Sequence, residues 1–136
     1  MGQETAIVIR SLRAFLNRVV VTIILEVIDV LTSPPAQGGT PIKTGWARSN
    51  WIPSIGEPVV QPFGSPQAVG SGAQDAGIST IRRYKTELGP AFISNPVPYI
   101  LQLNAGSSTQ AAAGFIERAV DVGVQNAAEK LARTKP

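Results

Sequence analysis

The stretch "TPIKTGWARSNW", residues 40–51, decides how this chain is read. It holds both tryptophans with an arginine between them, and it follows a loop rather than an obvious core element. Thr40 and Pro41 stiffen the approach, Gly45 permits a turn, and residues 46–52 then read as a strand. Thr44 and Gly45 mark its entry. Alternation places Trp46 and Arg48 on one face of that strand and Trp51 on the other. On this reading the two indoles anchor two surfaces, one in a core and one at an interface. Arg48 would be ion-paired or stacked on a ring.

Upstream, Leu12, Leu16, Val19, Ile23, Val27 and Ile28 recur at three- and four-residue steps, which predicts an amphipathic helix over residues 4–31. Its β-branched residues lower intrinsic helix propensity, so packing against other elements or other subunits must hold it. At about 1.5 Å per residue it reaches roughly 40 Å, longer than a domain of this size needs. Ser33-Pro34-Pro35 ends it. The apolar run "VVVTIILEVIDVL", residues 19–31, falls short of the about 20 residues of a bilayer span and is broken by Glu26 and Asp29. Arg10, Arg13 and Arg18 imitate the basic start of a secretory signal, but acidic residues and prolines follow where a cleavage site belongs. Ala6 in "MGQETA" replaces the hydroxyl residue of a myristoylation signal. No membrane partner is expected.

Downstream, "IPSIGEPVVQPFGSPQAVGSG", residues 52–72, carries Pro or Gly every few residues, which no helix survives. Residues 59–69 read as a long projecting loop, a binding element ordered on assembly. Ser71-Gly72-Ala73-Gln74 has the capping-box form and opens a second helix running to about residue 88. Ile78, Ile81, Tyr84 and Leu88 share one side of it, and Arg82, Arg83 and Lys85 complement its dipole. "GPAFIS" gives a short buried strand over residues 91–94, and Asn95-Pro96-Val97-Pro98 is a stiff turn. "YILQLNAG" is a brief helix stopped by Gly106. Ile116, Val120, Val124, Ala127 and Leu131 form the apolar face of a last helix over residues 114–133, supported by a Glu129–Arg133 pair. The tail "RTKP" is expected to fray.

The expected fold is α+β in a single domain, 1–136. It comprises an N-terminal helix (1–32), a strand and projecting loop (40–72), then a helix, a strand and a C-terminal helix (73–136). A small, mostly antiparallel sheet, from residues 46–60 and 91–94, packs against the N- and C-terminal helices. Charged residues make up only 15% of the chain, against the usual quarter, so much of the surface is expected to be covered by a partner or by further copies.

The absence of Cys and His excludes disulfides, thiol chemistry, Cys/His zinc sites and an imidazole base. The acidic residues stand singly, and "VGSG" lacks the lysine of a phosphate-binding loop. No enzyme activity, metal or cofactor is expected. The net charge of +3, the Arg82-Arg83-Tyr84-Lys85 cluster and the tryptophans keep a small basic nucleic-acid-binding module as the alternative.

"TPIKTGWARSNW" resembles the T-P-x-x-T-G-x-L/A-R-x-S-W motif of phage tail-component proteins, the minor tail protein Z-like or tail-completion group. "FISNPVPYILQLNAGSSTQAAAGF" is similar to the same group's Asn-x-x-Pro-Tyr turn and following Gly-x-Ser-x-Gln segment. The matching positions are Asn95, Pro98, Tyr99, Leu103, Gly106, Ser108, Gln110 and Gly114. Asn104 replaces the usual acidic residue, Ala112 stands where Pro is common, and Asn50 stands where Ser is usual beside Trp51. The resemblance spans nearly the whole chain. It implies a non-enzymatic virion protein of the tail or neck, made in the host cytoplasm and assembled as a homo-oligomeric ring, often a hexamer. Its partners would be other neck and tail proteins (connector or stopper, tail tube), with incidental contact to DNA in the channel. Thr44, Gly45, Trp46, Arg48, Trp51, Asn95, Pro98, Tyr99, Gly106 and Ser108 would be its structural and interface anchors.

Overall fold

The computed structural model describes residues 2–133. Five α-helices and one two-stranded antiparallel sheet make up its regular structure, so the α+β class holds. The first helix, α1, spans Gln3–Thr32. At about 1.5 Å per residue it is about 45 Å long. It ends where Ser33 turns extended and folds its hydroxyl back onto the Val30 carbonyl at 2.6 Å, immediately before the two prolines. Its apolar stripe does not serve one partner throughout. Val27, Val30 and Leu31 join Trp46, Trp51, Val97, Ile100 and Phe115 in one core cluster. Ile24 and Ile28, turned to the neighbouring face, join Ile81 and Tyr84 in a second. The helix thus separates two small cores and belongs to both.

The expected strand over residues 46–52 is not formed. Trp46–Ser49 is instead a single helical turn, α2, and the strand β1 begins later, at Ile52–Ile55. Gly45 enters α2 with φ 89°, the left-handed conformation that only glycine adopts without strain. The Ser49 amide then bonds the Gly45 carbonyl at 3.0 Å, and the Ser49 hydroxyl and Asn50 amide both donate to the Trp46 carbonyl. These side-chain bonds hold a turn that aromatic β-propensity alone would not select. The side chains therefore do not alternate as in a strand, and both indoles enter the same core rather than two surfaces.

β1 pairs with β2, Ala91–Ser94, in the register Ile52–Ser94 to Ile55–Ala91. The second strand falls on the expected residues, whereas the sheet is shorter on its first side. The helix α3, Gly72–Ile81, packs across β1, and Gly77 lies against the Pro53 carbonyl. It ends seven residues before the expected boundary at Leu88. The capping box is not made. The Ser71 hydroxyl donates to the Asp75 carboxylate at 2.9 Å, and Gln74 turns inward. Beyond Ile81 a 3-10 turn, Thr86–Leu88, follows, and the Thr86 amide bonds Asn17 Oδ1 of α1 at 2.8 Å. Ile81 and Tyr84 are buried as expected, but Leu88 is exposed.

A short helix α4, Ile100–Asn104, leads to α5, Phe115–Arg133. Asn104 joins the two. Its carbonyl accepts the Gly114 amide, its Oδ1 accepts the Ile116 amide, and its Nδ2 donates to Glu117. The buried face of α5 is Phe115, Ala119, Gly123 and Ala127. The expected stripe is displaced: Ala127 is buried, but Val120 and Val124 are exposed. Small side chains line the contact because α5 lies very close to α1. A Cβ on Gly123 would stand 2.6 Å from the Val27 Cα. Lys130 Nζ meets Glu26 Oε2 at 3.0 Å across the same pair of helices. Among the described residues Glu129 and Arg133 form no ion pair. Of the tail expected to fray, residues 134–136 lie outside the described residues.

Candidate functional site

The two segments that carry the family resemblance come together in space. The Asn95 side-chain amide donates to the Ala47 carbonyl at 2.8 Å, and its Oδ1 accepts the Val97 amide at 3.2 Å. The ring of Tyr99 leans on that of Trp46, with centroids 6.0 Å apart and planes tilted by 55°. Gln110 pairs with the backbone of Ile42 in both directions, accepting its amide at 2.8 Å and donating to its carbonyl at 2.7 Å. A side-chain amide used this way imitates a neighbouring strand. It fastens the segment before α5 to the start of "TPIKTGWARSNW".

Trp51 is the centre of the junction. Its indole N–H donates to Thr40 Oγ1 at 2.8 Å, and that hydroxyl donates to the Leu31 carbonyl at 2.7 Å. Trp51 is 5% exposed and Thr40 wholly buried, so the chain of bonds satisfies each polar group that burial would otherwise leave unpaired. Gln74 of α3 closes the other side, donating to the carbonyls of Arg48 and Trp51, each at 3.1 Å. Through these bonds α1, α2, α3 and the start of β1 are fixed to one another.

Asn50 ties down the Pro/Gly-rich loop. Its Oδ1 accepts the Phe63 amide at 2.7 Å, and its Nδ2 donates to the carbonyls of Trp46 and Phe63. The Trp46 indole also donates to the Phe63 carbonyl, at 2.9 Å. The middle of this loop is therefore held by the chain itself, while the side chains of Val60 and Phe63 stay exposed. Asn50 is wholly buried and makes more of the loop's long-range bonds than any expected anchor. Its signal in the sequence was only a polar residue wedged beside a tryptophan. Gln74 and Gln110 were visible as parts of patterns, but not in these roles.

Five of the expected anchors line two open clefts. Tyr99 and Ser108, with Pro41, Ile42, Lys43 and Gln110, line an open cleft of about 780 Å³. Thr44, Gly45 and Arg48 line a second of about 340 Å³, beside Gln74. Thr44 Oγ1 accepts the Trp46 amide at 3.2 Å, and Ser108 Oγ accepts the Gln110 amide at 3.1 Å. Gly106 has φ 95° at the end of α4, and Pro98 is exposed in the turn before it. Arg48 contributes its carbonyl rather than its charge. Among the described residues its guanidinium makes neither the ion pair nor the ring stack expected of it, and the cation–ring contact present is Arg18 over Phe15 at 5.5 Å.

The burial of Trp46 and Trp51 removes them as a platform for stacking bases. Arg82, Arg83 and Lys85 are exposed just past the end of α3. Among the described residues no three acidic side chains gather as a metal site, and no helix is long and apolar enough to cross a membrane. What the junction offers chemically is a satisfied polar network around two aromatic anchors, with open clefts on either side. No family model matches this chain, and neither does any curated protein or solved structure.

Proposed function

We propose that this chain is a structural protein of a tailed bacteriophage virion, a tail-completion, terminator or head–tail connector component that works as a homo-oligomeric ring. The observation that carries this reading is the joining of the two motif segments. Residues 40–51 and 95–110 are distant in sequence, and the two segments meet through Asn95–Ala47, Tyr99–Trp46 and Gln110–Ile42, contacts in which Asn95, Tyr99, Gln110 and Ala47 are matching positions. A shared fold requires that the two motif segments form one structural unit, and their contact supports this reading.

The surface supports the same reading. Ile7, Val8, Leu12 and Leu16 on the first half of α1 and Val120, Val122 and Val124 on α5 are all exposed. A chain with so few charges and so many exposed large aliphatic side chains on two helices is suited to contact with further subunits. Its function is then assembly, with no reaction to catalyse. Native mass spectrometry and negative-stain imaging of the purified chain test this. A closed ring of several copies is expected, with a hexamer as the first expectation. A monomer that binds duplex DNA with a steep salt dependence would favour the nucleic-acid-binding alternative, through Arg82, Arg83 and Lys85.

A further inference from the structure

Val8, Leu12, Leu16, Val19, Ile23 and Val27 follow one another at steps of four, four, three, four and four along α1, so they form a single stripe. The second half of that stripe is covered: Ile23 and Val27 pack in the core cluster that includes Phe115 and Ala119 of α5. The first half is bare, with Val8 63%, Leu12 57% and Leu16 44% exposed. Of the arginines in this half, Arg13 lies nearest the edge of the stripe, whereas Arg10 and Arg18 lie on the far side of the helix.

The outer flank of α5 has the opposite character. Val120 and Val124 are exposed one turn apart, and Glu117 and Asp121 stand beside them. The nearby cations of α5 are engaged elsewhere. The Arg118 guanidinium donates to the carbonyls of Ala113 and Ala112, and Lys130 is on Glu26. Among the described residues Asp121 has no hydrogen-bond or ion-pair partner.

We propose that, in the ring, the projecting half of α1 of one copy lies along this flank of α5 of the next. Val8, Leu12 and Leu16 pack on Val120 and Val124, and Arg13 faces Asp121. This rests on the ring reading above and names its interface. Charge chooses the occupant: the bare stripe of α1 is flanked by a cation, Arg13, whereas α5 presents an acid without a partner among the described residues, Asp121, beside its valines. The two surfaces lie on different parts of one chain, so the contact is head-to-tail and repeats from copy to copy until the rotation closes.

The chain has no cysteine, so engineered cysteines report without background. A Leu12→Cys/Val124→Cys variant of the full chain, oxidised under native conditions, should give a ladder of covalent oligomers ending at the ring size. Each single variant should stay uncrosslinked. Arg13→Glu should raise the concentration needed for assembly about tenfold, and adding Asp121→Arg should restore it. All four positions are exposed, and circular dichroism checks that the variants fold. Covalent dimers from Leu12→Cys alone would mean α1 pairs with α1 and would overturn the proposal. A wild-type ring with no ladder and no response to Arg13→Glu would also overturn it, leaving the ring reading intact. A wild-type chain that stays monomeric would remove both.

Discussion

Gly123 of α5 meets Val27 of α1 at a distance that leaves no space for a side chain: a Cβ there would stand 2.6 Å from the Val27 Cα and 2.8 Å from its backbone nitrogen. The obstacle is backbone, so it cannot swing aside. Gly123→Ala would gain about 1 kcal/mol of helix propensity. It must also push the two helices apart along their whole contact. Overpacking of this kind costs about 1–3 kcal/mol, and the variant is expected to be less stable than the parent in urea unfolding. An equal or higher midpoint would show that moving α5 away from α1 costs no more than the gain in helix propensity.

Trp51 is the aromatic anchor with most to lose. It is nearly buried, and its indole N–H holds Thr40, which in turn holds the Leu31 carbonyl at the end of α1. Trp51→Ala is expected to cost about 3–5 kcal/mol of stability. Trp51→Phe, which keeps a ring and loses the donor, should cost less, because the Thr40 hydroxyl retains Leu31 as a partner. Thermal unfolding of the two variants orders them, and equal losses would mean the indole N–H carries the whole effect.

Asn50 should govern the loop more than the fold. Asn50→Ala leaves the part-buried Phe63 amide without its acceptor, a loss of about 1 kcal/mol. The Phe63 carbonyl keeps the Trp46 indole as a donor. Amide hydrogen exchange is the readout: Phe63 should be protected in the parent and exchange much faster in Asn50→Ala, with α1 and α5 little altered. Unchanged protection at Phe63 would mean the loop is held by other contacts.

Gln110 offers a milder case. It is exposed, and its two bonds to Ile42 compete with water. Gln110→Ala should lower global stability by no more than about 1 kcal/mol, while the Ile42 amide exchanges faster. A large global loss would place this contact in the cooperative core.

These residues also show where the sequence was readable. The bounds of α1 were legible because its stripe keeps helical spacing up to two prolines, and β2 because a short apolar run lies between Gly-Pro and Asn-Pro. The buried face of α5 was not. Hydrophobicity points to Val120 and Val124, but close approach to α1 admits only Ala119, Gly123 and Ala127. The turn at Trp46 was misread for a related reason. Its conformation depends on Gly45, on Ser49 and Asn50 bonding one carbonyl, and on a core assembled from distant segments, none of which alternation reports. The bonds made by Arg48 and Gln74 were not legible, since Arg48 acts through its carbonyl and Gln74 through its inward amide.

The central claim is that the chain works as a closed ring, and its native mass tests this most directly. Native mass spectrometry of the unmodified protein over a range of concentrations should give one dominant species at a fixed multiple of 14.3 kDa, six-fold as the first expectation, with ring-shaped particles in negative stain. A single species at 14.3 kDa at every concentration would contradict the account.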